Sequence, residues 1–119
     1  MAASEPSGAE VWPRVERSEQ VRTDSKGRIK TQNRWELVLE NTGHEPARHV
    51  HFRLEPENEE DEVAMLAAND PGELEVFAPR SDASYLLIMS MGVAEQARCV
   101  VSWEDSAGEH ENIATLRFF

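Results

Sequence analysis

The sequence predicts an all-β fold in which two antiparallel sheets pack face to face. Residues 34–54 and 97–119 each contain two runs of alternating apolar and polar residues around a turn-rich break. Successive side chains of a strand point to opposite faces, so each run has one apolar face. The residues expected on these buried faces are Trp35, Leu37, Leu39, Val50, Phe52, Leu54, Cys99, Val101, Trp103, Ala114, Leu116 and Phe118. The 119 residues suffice for one such domain.

The first two strands are predicted to form a hairpin at a sheet edge. Residues 1–9 are small and polar, which indicates a disordered lead-in to a domain over residues 10–119. Pro13 has no N–H to donate, so it is expected in an edge strand or at the start of a strand. Residues 24–27 form a turn in which Gly27 supplies a positive φ, and the second strand follows over residues 28–41.

The middle of the chain is less regular. Asn, Gly and Pro in residues 41–46 predict a turn, with Gly43 in a left-handed conformation, before a strand over residues 47–55. Residues 55–62 carry six acids in eight positions and are expected to form a solvated loop. For residues 63–68 a helical turn and a weak strand remain open.

Three further strands complete the chain. A short strand is expected over residues 74–78, between turns at 69–72 and 79–82. Residues 83–91 are apolar on both faces for part of their length, which is typical of a central strand. The last hairpin joins residues 97–104 to residues 111–118.

Seven or eight short strands without a long helix indicate an immunoglobulin-like antiparallel β-sandwich, with a β-barrel as the alternative. Residues 39–50 and 100–108 resemble the L-x-N-x-G-x-x-x-A-x-x-V and V-x-W-x-D-x-x-G motifs of bacterial immunoglobulin-like domains of the CARDB type. Residues 74–81 are similar to the same family, with Arg80 where glycine is common. The resemblance implies a bacterial accessory, adhesion or interaction module, and it implies no reaction.

Charge and hydropathy exclude several classes of partner. The net charge of −11 and the pI near 4.7 oppose binding to nucleic acid and to anionic lipid. The first ten residues lack the pattern of a secretory signal, and no apolar stretch is long enough to cross a membrane. We therefore expect no nucleic acid partner, no membrane insertion and a cytoplasmic location, or an extracellular one if the chain is cut from a longer secreted or membrane-anchored protein.

The residues that carry chemistry predict no catalytic, cofactor or metal site. Cys99 is solitary and lies in an apolar strand, so we expect a buried free thiol. His49 and His51 share a strand face, but a metal site would need a third ligand from His44, His110 or a distant acid, so exposed histidines are favoured. The expected function is a non-enzymatic protein-interaction or accessory module. The alternative is a ligand-binding module for carbohydrate or a divalent metal.

A candidate interaction surface lies on the first hairpin. Residues 14–34 contain seven Lys or Arg and three acids, a balance of +4, so the remainder carries −15. The surface comprises Trp12, Arg14, Arg17, Arg22, Lys26, Arg28 and Lys30. It predicts an acidic protein partner, which includes a second copy of this chain. The alternative is that these charges only protect an edge hairpin against aggregation.

Overall fold

The computed structural model describes residues 8–60, 62, 65–66, 73–88 and 93–118. Eight strands lie within these residues, and the described part contains no helix. Their bounds are β1 Val11–Thr23, β2 Ile29–Asn41, β3 Ala47–Pro56, β4 Met65–Leu66, β5 Leu74–Phe77, β6 Asp82–Ile88, β7 Gln96–Asp105 and β8 Gly108–Arg117. The predicted all-β class is confirmed.

The strands form two four-stranded sheets, ordered β1-β2-β6-β4 and β5-β3-β7-β8. Every ladder between these strands is antiparallel. Without β5 the orders read A-B-E-D and C-F-G in the lettering of immunoglobulin domains, and β5, which follows β4 in the chain, adds an edge strand beside β3. The predicted immunoglobulin-like sandwich is therefore confirmed, and β1 lies at a sheet edge as Pro13 indicated.

The core lies between the sheets and contains the residues that the alternation placed there. Leu37 and Leu39 of β2 belong to one buried cluster with Val101 and Trp103 of β7, and all four are at least 96% buried. Cys99 is fully buried and is a free thiol, as predicted. Burial disfavours the thiolate and raises the pKa of Cys99 to about 12.

The turn after β2 is held by the side chain of Asn41, which is fully buried. Its Oδ1 accepts from the backbone N–H groups of Glu10 (3.1 Å) and Gly43 (3.0 Å), and its Nδ2 donates to the carbonyls of Glu45 (3.1 Å) and Phe77 (3.0 Å). These four bonds tie the start of β1, the turn and the end of β5 together. A buried amide with all its hydrogen bonds made favours one backbone conformation of this region over others.

Gly43 is needed for a reason that the sequence analysis did not identify. The described glycines with positive φ are Gly27, as predicted, and Gly108. The expected left-handed conformation at Gly43 is therefore wrong. Instead, a Cβ there would lie 2.6 Å from the Cα of Ala9 and closer still to the carbonyl oxygen of Gly8. The absence of a side chain lets the segment before β1 pack against this turn.

That segment belongs to the packed structure. Ala9 is 7% exposed, and its N–H donates to Asp105 Oδ2 at 3.1 Å. The same carboxylate accepts from the N–H of Ala107 and contacts Nε2 of His110, both at 2.8 Å. Burial alone would raise the pKa of Asp105, but these hydrogen bonds outweigh burial and lower it. The packed chain thus begins before the expected boundary at residue 10, while residues 1–7 of the lead-in lie outside the described residues.

The middle of the chain differs in detail from expectation. β3 continues through Glu55 to Pro56, so the acidic loop starts later, and residues 57–60 are exposed as predicted. Within residues 63–68 the structure describes only β4. β6 lies between β2 and β4, as expected of a central strand, although Leu86 and Ile88 on its outer face are 42% and 50% exposed. Residues 89–91 of the predicted strand lie outside the described residues.

Candidate interaction surfaces

The hairpin of β1 and β2 is longer than the strand beside it. β1 pairs with β2 from Val11↔Asn41 to Thr23↔Ile29, whereas β6 pairs with β2 only from Trp35 to Glu40. In the described structure, residues 29–34 therefore pair with β1 alone. Six residues at 3.3–3.4 Å each amount to about 20 Å of two-stranded ribbon. We call residues 17–34 the projecting arm.

The projecting arm is exposed on both faces. Only Gln20 and Asp24 within it are half-buried, and the apolar Val21 and Ile29 are 68% and 75% exposed. At its tip, Asp24 Oδ1 accepts from the N–H groups of Lys26 (2.9 Å) and Arg28 (2.8 Å), which fixes the turn. A lone two-stranded ribbon is marginally stable in water. The arm therefore contributes little to the core and presents its side chains to solvent.

The arm is the most basic part of the chain. It carries six Lys or Arg and two acids, so its net charge is 6 − 2 = +4. Five of the seven predicted surface residues lie on it, and none of the five forms an ion pair within the described residues; they are Arg17, Arg22, Lys26, Arg28 and Lys30.

The other two predicted surface residues lie on the body of the sandwich. Arg14 contacts Glu16 at 3.0 Å, Glu40 at 2.9 Å and Asp82 at 3.9 Å, and the hydrogen bond to Glu16 does most to raise its pKa. Its charge is thus balanced within the chain. Trp12 is 41% exposed, and its Nε1 donates to Glu10 at 3.1 Å.

A second charged surface lies on the outer face of the other sheet. An open cleft of about 510 Å³ is lined by His49, His51, Glu73, Ser102, Trp103, Glu104, Glu109, His110 and Glu111. Four of these residues are glutamates, and they come from β7, β8 and the residue before β5. We call this the acidic cleft. Sequence analysis missed it because its carboxylates are brought together only by the strand pairing.

The two histidines approach one carboxylate in this cleft. His49 Nδ1 and His51 Nδ1 lie 3.4 Å and 3.7 Å from Glu73 Oε1, and His49 Nε2 lies 3.9 Å from Glu104 Oε2. The register of β3 shifts between Arg48 and His51, and His49 has a φ of 51°. Within the described residues, no group of three or more His, Cys, Asp or Glu is placed to hold a metal ion.

The arm and the cleft lie at opposite ends of the molecule. Asn112, next to the cleft residue Glu111, donates its side-chain N–H to the carbonyl of Val11 at 2.9 Å, so the cleft adjoins the start of β1. The tip of the arm follows the other end of β1, at Thr23. Twelve steps of about 3.3 Å separate the two ends of this strand by about 40 Å.

Comparison with known proteins gives a family for the fold that carries these surfaces. A family model described as "Domain of unknown function (DUF8453)" matches residues 9–118. The chain belongs to this family. No curated protein and no solved structure matches.

The family match covers both surfaces and begins at Ala9, next to the segment that Asp105 and Gly43 hold. Its description names no activity, and the resemblance to CARDB-type domains stays a prediction. The part of this family domain that the structure describes contains no helix long and apolar enough for a membrane crossing.

Proposed function

We propose that this domain is a non-enzymatic protein-interaction or accessory module that binds an acidic surface of its partner through the projecting arm. One observation carries the proposal. About 20 Å of ribbon extends past the described β6 pairing, and the projecting arm as a whole has a net charge of +4 and five cations free of ion pairs within the described residues. Complementary charge of this kind raises association rates and selects partners.

The backbone of β1 adds a second mode of contact. β1 is an edge strand, so its outer side offers unpaired N–H and C=O groups to a partner strand. Pro13 interrupts these donors on the body, but no proline follows it in β1 or in the arm. Strand addition therefore fits best from Val15 outward, along the same segment that carries the arginines.

Cys99 argues for a binding role over nucleophilic catalysis. It is the sole thiol of the sequence, it is fully buried, and its pKa is raised to about 12. A thiol with this pKa is protonated at neutral pH, and the nucleophile is the thiolate.

The alternative function, binding of carbohydrate or a divalent metal, has narrower support. A sugar platform needs an exposed aromatic face, and Trp12 is the tryptophan that meets this condition at 41% exposure. For a metal, His49, His51 and Glu73 come together, but their side chains would have to move to coordinate it. The cleft residues are therefore better explained by charge than by coordination.

Affinity purification from the source organism tests the arm. The bait with Arg17→Glu, Arg22→Glu and Arg28→Glu should lose the specific partner that the unaltered chain retains. A matched control reverses Arg48, Arg98 and Arg117, which are exposed on the other sheet, and should keep that partner. Binding to the purified partner should weaken with added salt, because exposed charges are screened over about 8 Å at physiological ionic strength. Equal recovery by the arm variant would refute the proposal.

A further inference from the structure

We propose that the acidic cleft receives the projecting arm of a second copy of this chain, so that the domain associates head to tail. The inference rests on the proposed function and names the partner. The two surfaces were identified separately, one from the length of β2 and the other from the outer face of the β5-β3-β7-β8 sheet.

Each surface contains a like-charge pair. Arg22 and Lys30 are directly opposite in the β1–β2 ladder, and Glu104 and Glu109 are directly opposite in the β7–β8 ladder. Residues directly opposite in an antiparallel pair share a face, and like charges there are destabilising. A docked arm places the cationic pair against the acidic pair, so one contact relieves both repulsions.

Neighbours on the same face offset only part of the charge of the cleft. Arg48 lies directly opposite Glu104 in the β3–β7 ladder, whereas Glu109 and Glu111 pair with Glu104 and Ser102. Arg53 interacts electrostatically with Glu111, but its Nε forms an ion pair with Glu55 Oε1 at 2.6 Å. Glu104 and Glu73 have about half of their side-chain surface exposed, at 47% and 46%. The cleft is open and has a volume of about 510 Å³. Cationic side chains of the arm therefore find accessible carboxylates in a concave site.

The positions of the two surfaces determine the form of the assembly. The tip of the arm and the cleft lie about 40 Å apart, at opposite ends of β1, so the tip cannot reach the cleft of its own chain. After one arm docks, the pair still has one free arm and one free cleft. Contacts of this heterologous type build open chains unless the rotation closes a ring.

Sedimentation velocity of the purified, nuclease-treated domain tests this assembly at low ionic strength. The average mass should rise steadily with protein concentration and fall with added salt. An arm variant (Arg22→Glu, Lys30→Glu) and a cleft variant (Glu104→Lys, Glu109→Lys) should each remain monomeric. Circular dichroism should show that both variants keep the β-sheet spectrum of the unaltered chain.

Mixing the two variants gives the decisive measurement. The cleft variant keeps an intact arm and the arm variant keeps an intact cleft, so the mixture should associate although each variant alone stays monomeric. A chain with all four substitutions should associate again, because the cationic pair and the acidic pair have exchanged sign.

A monomeric unaltered chain, continued association of either single-surface variant, or a mixture without dimer would overturn the inference. A dimer that stops growing without any substitution would indicate a two-fold interface and would overturn it as well. One of these results can be found while the triple variant Arg17→Glu, Arg22→Glu, Arg28→Glu still loses its partner in the affinity purification. In that case the proposed function stands and the second copy is the wrong partner. If the chain does not self-associate and the triple variant also keeps its partner, both proposals are refuted.

Discussion

Arg80 adopts a left-handed backbone conformation with a φ of 57°. Its N–H donates to the carbonyl of Asn41 at 2.7 Å, so the conformation connects the turn before β6 to the end of β2. This is the position at which the CARDB-type pattern commonly has glycine. The geometry supplies a physical reason for that preference, since a Cβ in this region is strained.

Replacing Arg80 with Gly should therefore stabilise the domain. Relief of the left-handed strain is worth about 1–2 kcal/mol, and the extra unfolded-state entropy of glycine offsets about 0.5–1 kcal/mol of it. We expect a net increase of about 0.5–1 kcal/mol in the free energy of unfolding, measured by urea denaturation. The matched control is Arg98→Gly, at an exposed position within β7, which should destabilise the domain. A loss of stability at both positions would contradict the explanation.

Trp103 should be the most costly core residue to truncate. It is 4% exposed, belongs to the central cluster and stacks on His110 with ring centroids 5.6 Å apart. Trp103→Ala should lower the free energy of unfolding by about 3–5 kcal/mol, which is enough to unfold a marginally stable domain. Its indole N–H has no hydrogen-bond partner among the described residues, so Trp103→Phe should cost clearly less. Equal costs for both substitutions in denaturant unfolding would contradict this.

At the scale of the element, the Asp105 carboxylate holds the segment before β1 by accepting a hydrogen bond from Ala9, and the fold lowers the pKa of this carboxyl group. A group with a depressed folded-state pKa stabilises the fold above its unfolded value, near 3.9, and loses this contribution as pH falls through the folded value. The stability difference between the unaltered chain and Asp105→Asn should therefore shrink below about pH 4. Urea unfolding of both chains over a pH series measures this stability difference. A difference that stays constant down to the lowest pH would contradict the role of the carboxylate.

The β7–β8 hairpin and the projecting arm should differ strongly in backbone protection. β7 is central in its sheet, and Val100 and Val101 are buried on its two faces. The arm has exposed faces and no strand beyond its own pair in the described structure. Hydrogen exchange should be slow at Val100 and Val101 and fast at Val21 and Thr31, because local opening needs little energy where few apolar contacts are lost. Comparable rates in the two hairpins would contradict the picture of a weakly supported arm.

Local signals predicted the elements better than the surfaces. Alternation located β1, β2, β7 and β8, and the turn residues located Gly27, because both effects act over a few neighbouring residues. The role of Gly43 was missed because the segment that approaches it is distant in sequence. The acidic cleft depends on the β3, β5, β7 and β8 pairing in the same way. The basic hairpin was predicted, but its projection follows from the register, in which the described part of β6 pairs with β2 only from Trp35 to Glu40.

At the scale of the whole molecule, the arm makes the domain elongated. The radius of gyration is 17.0 Å, whereas a compact domain of this length is expected to have about 13–14 Å. The principal extents are 65 × 35 × 28 Å. The proposed binding surface thus lies away from the core, so experiments can test binding and stability separately.

Ser18 and Arg34 are paired in the β1–β2 ladder, so an Asn-Gly turn between them can replace residues 19–33. This deletion should remove the proposed binding surface and leave the core in place. The core residues of β1 and β2 remain, so the free energy of unfolding should change by no more than about 1–2 kcal/mol, the size of a typical single mutation. Small-angle X-ray scattering should show a smaller radius of gyration, and self-association should disappear. Lengthening the turn at residues 57–60 with polar residues is the matched control, since it alters another exposed loop without touching the arm. A shortened chain that unfolds would show that the arm supports the sandwich, and one that still associates would show that contact is made elsewhere.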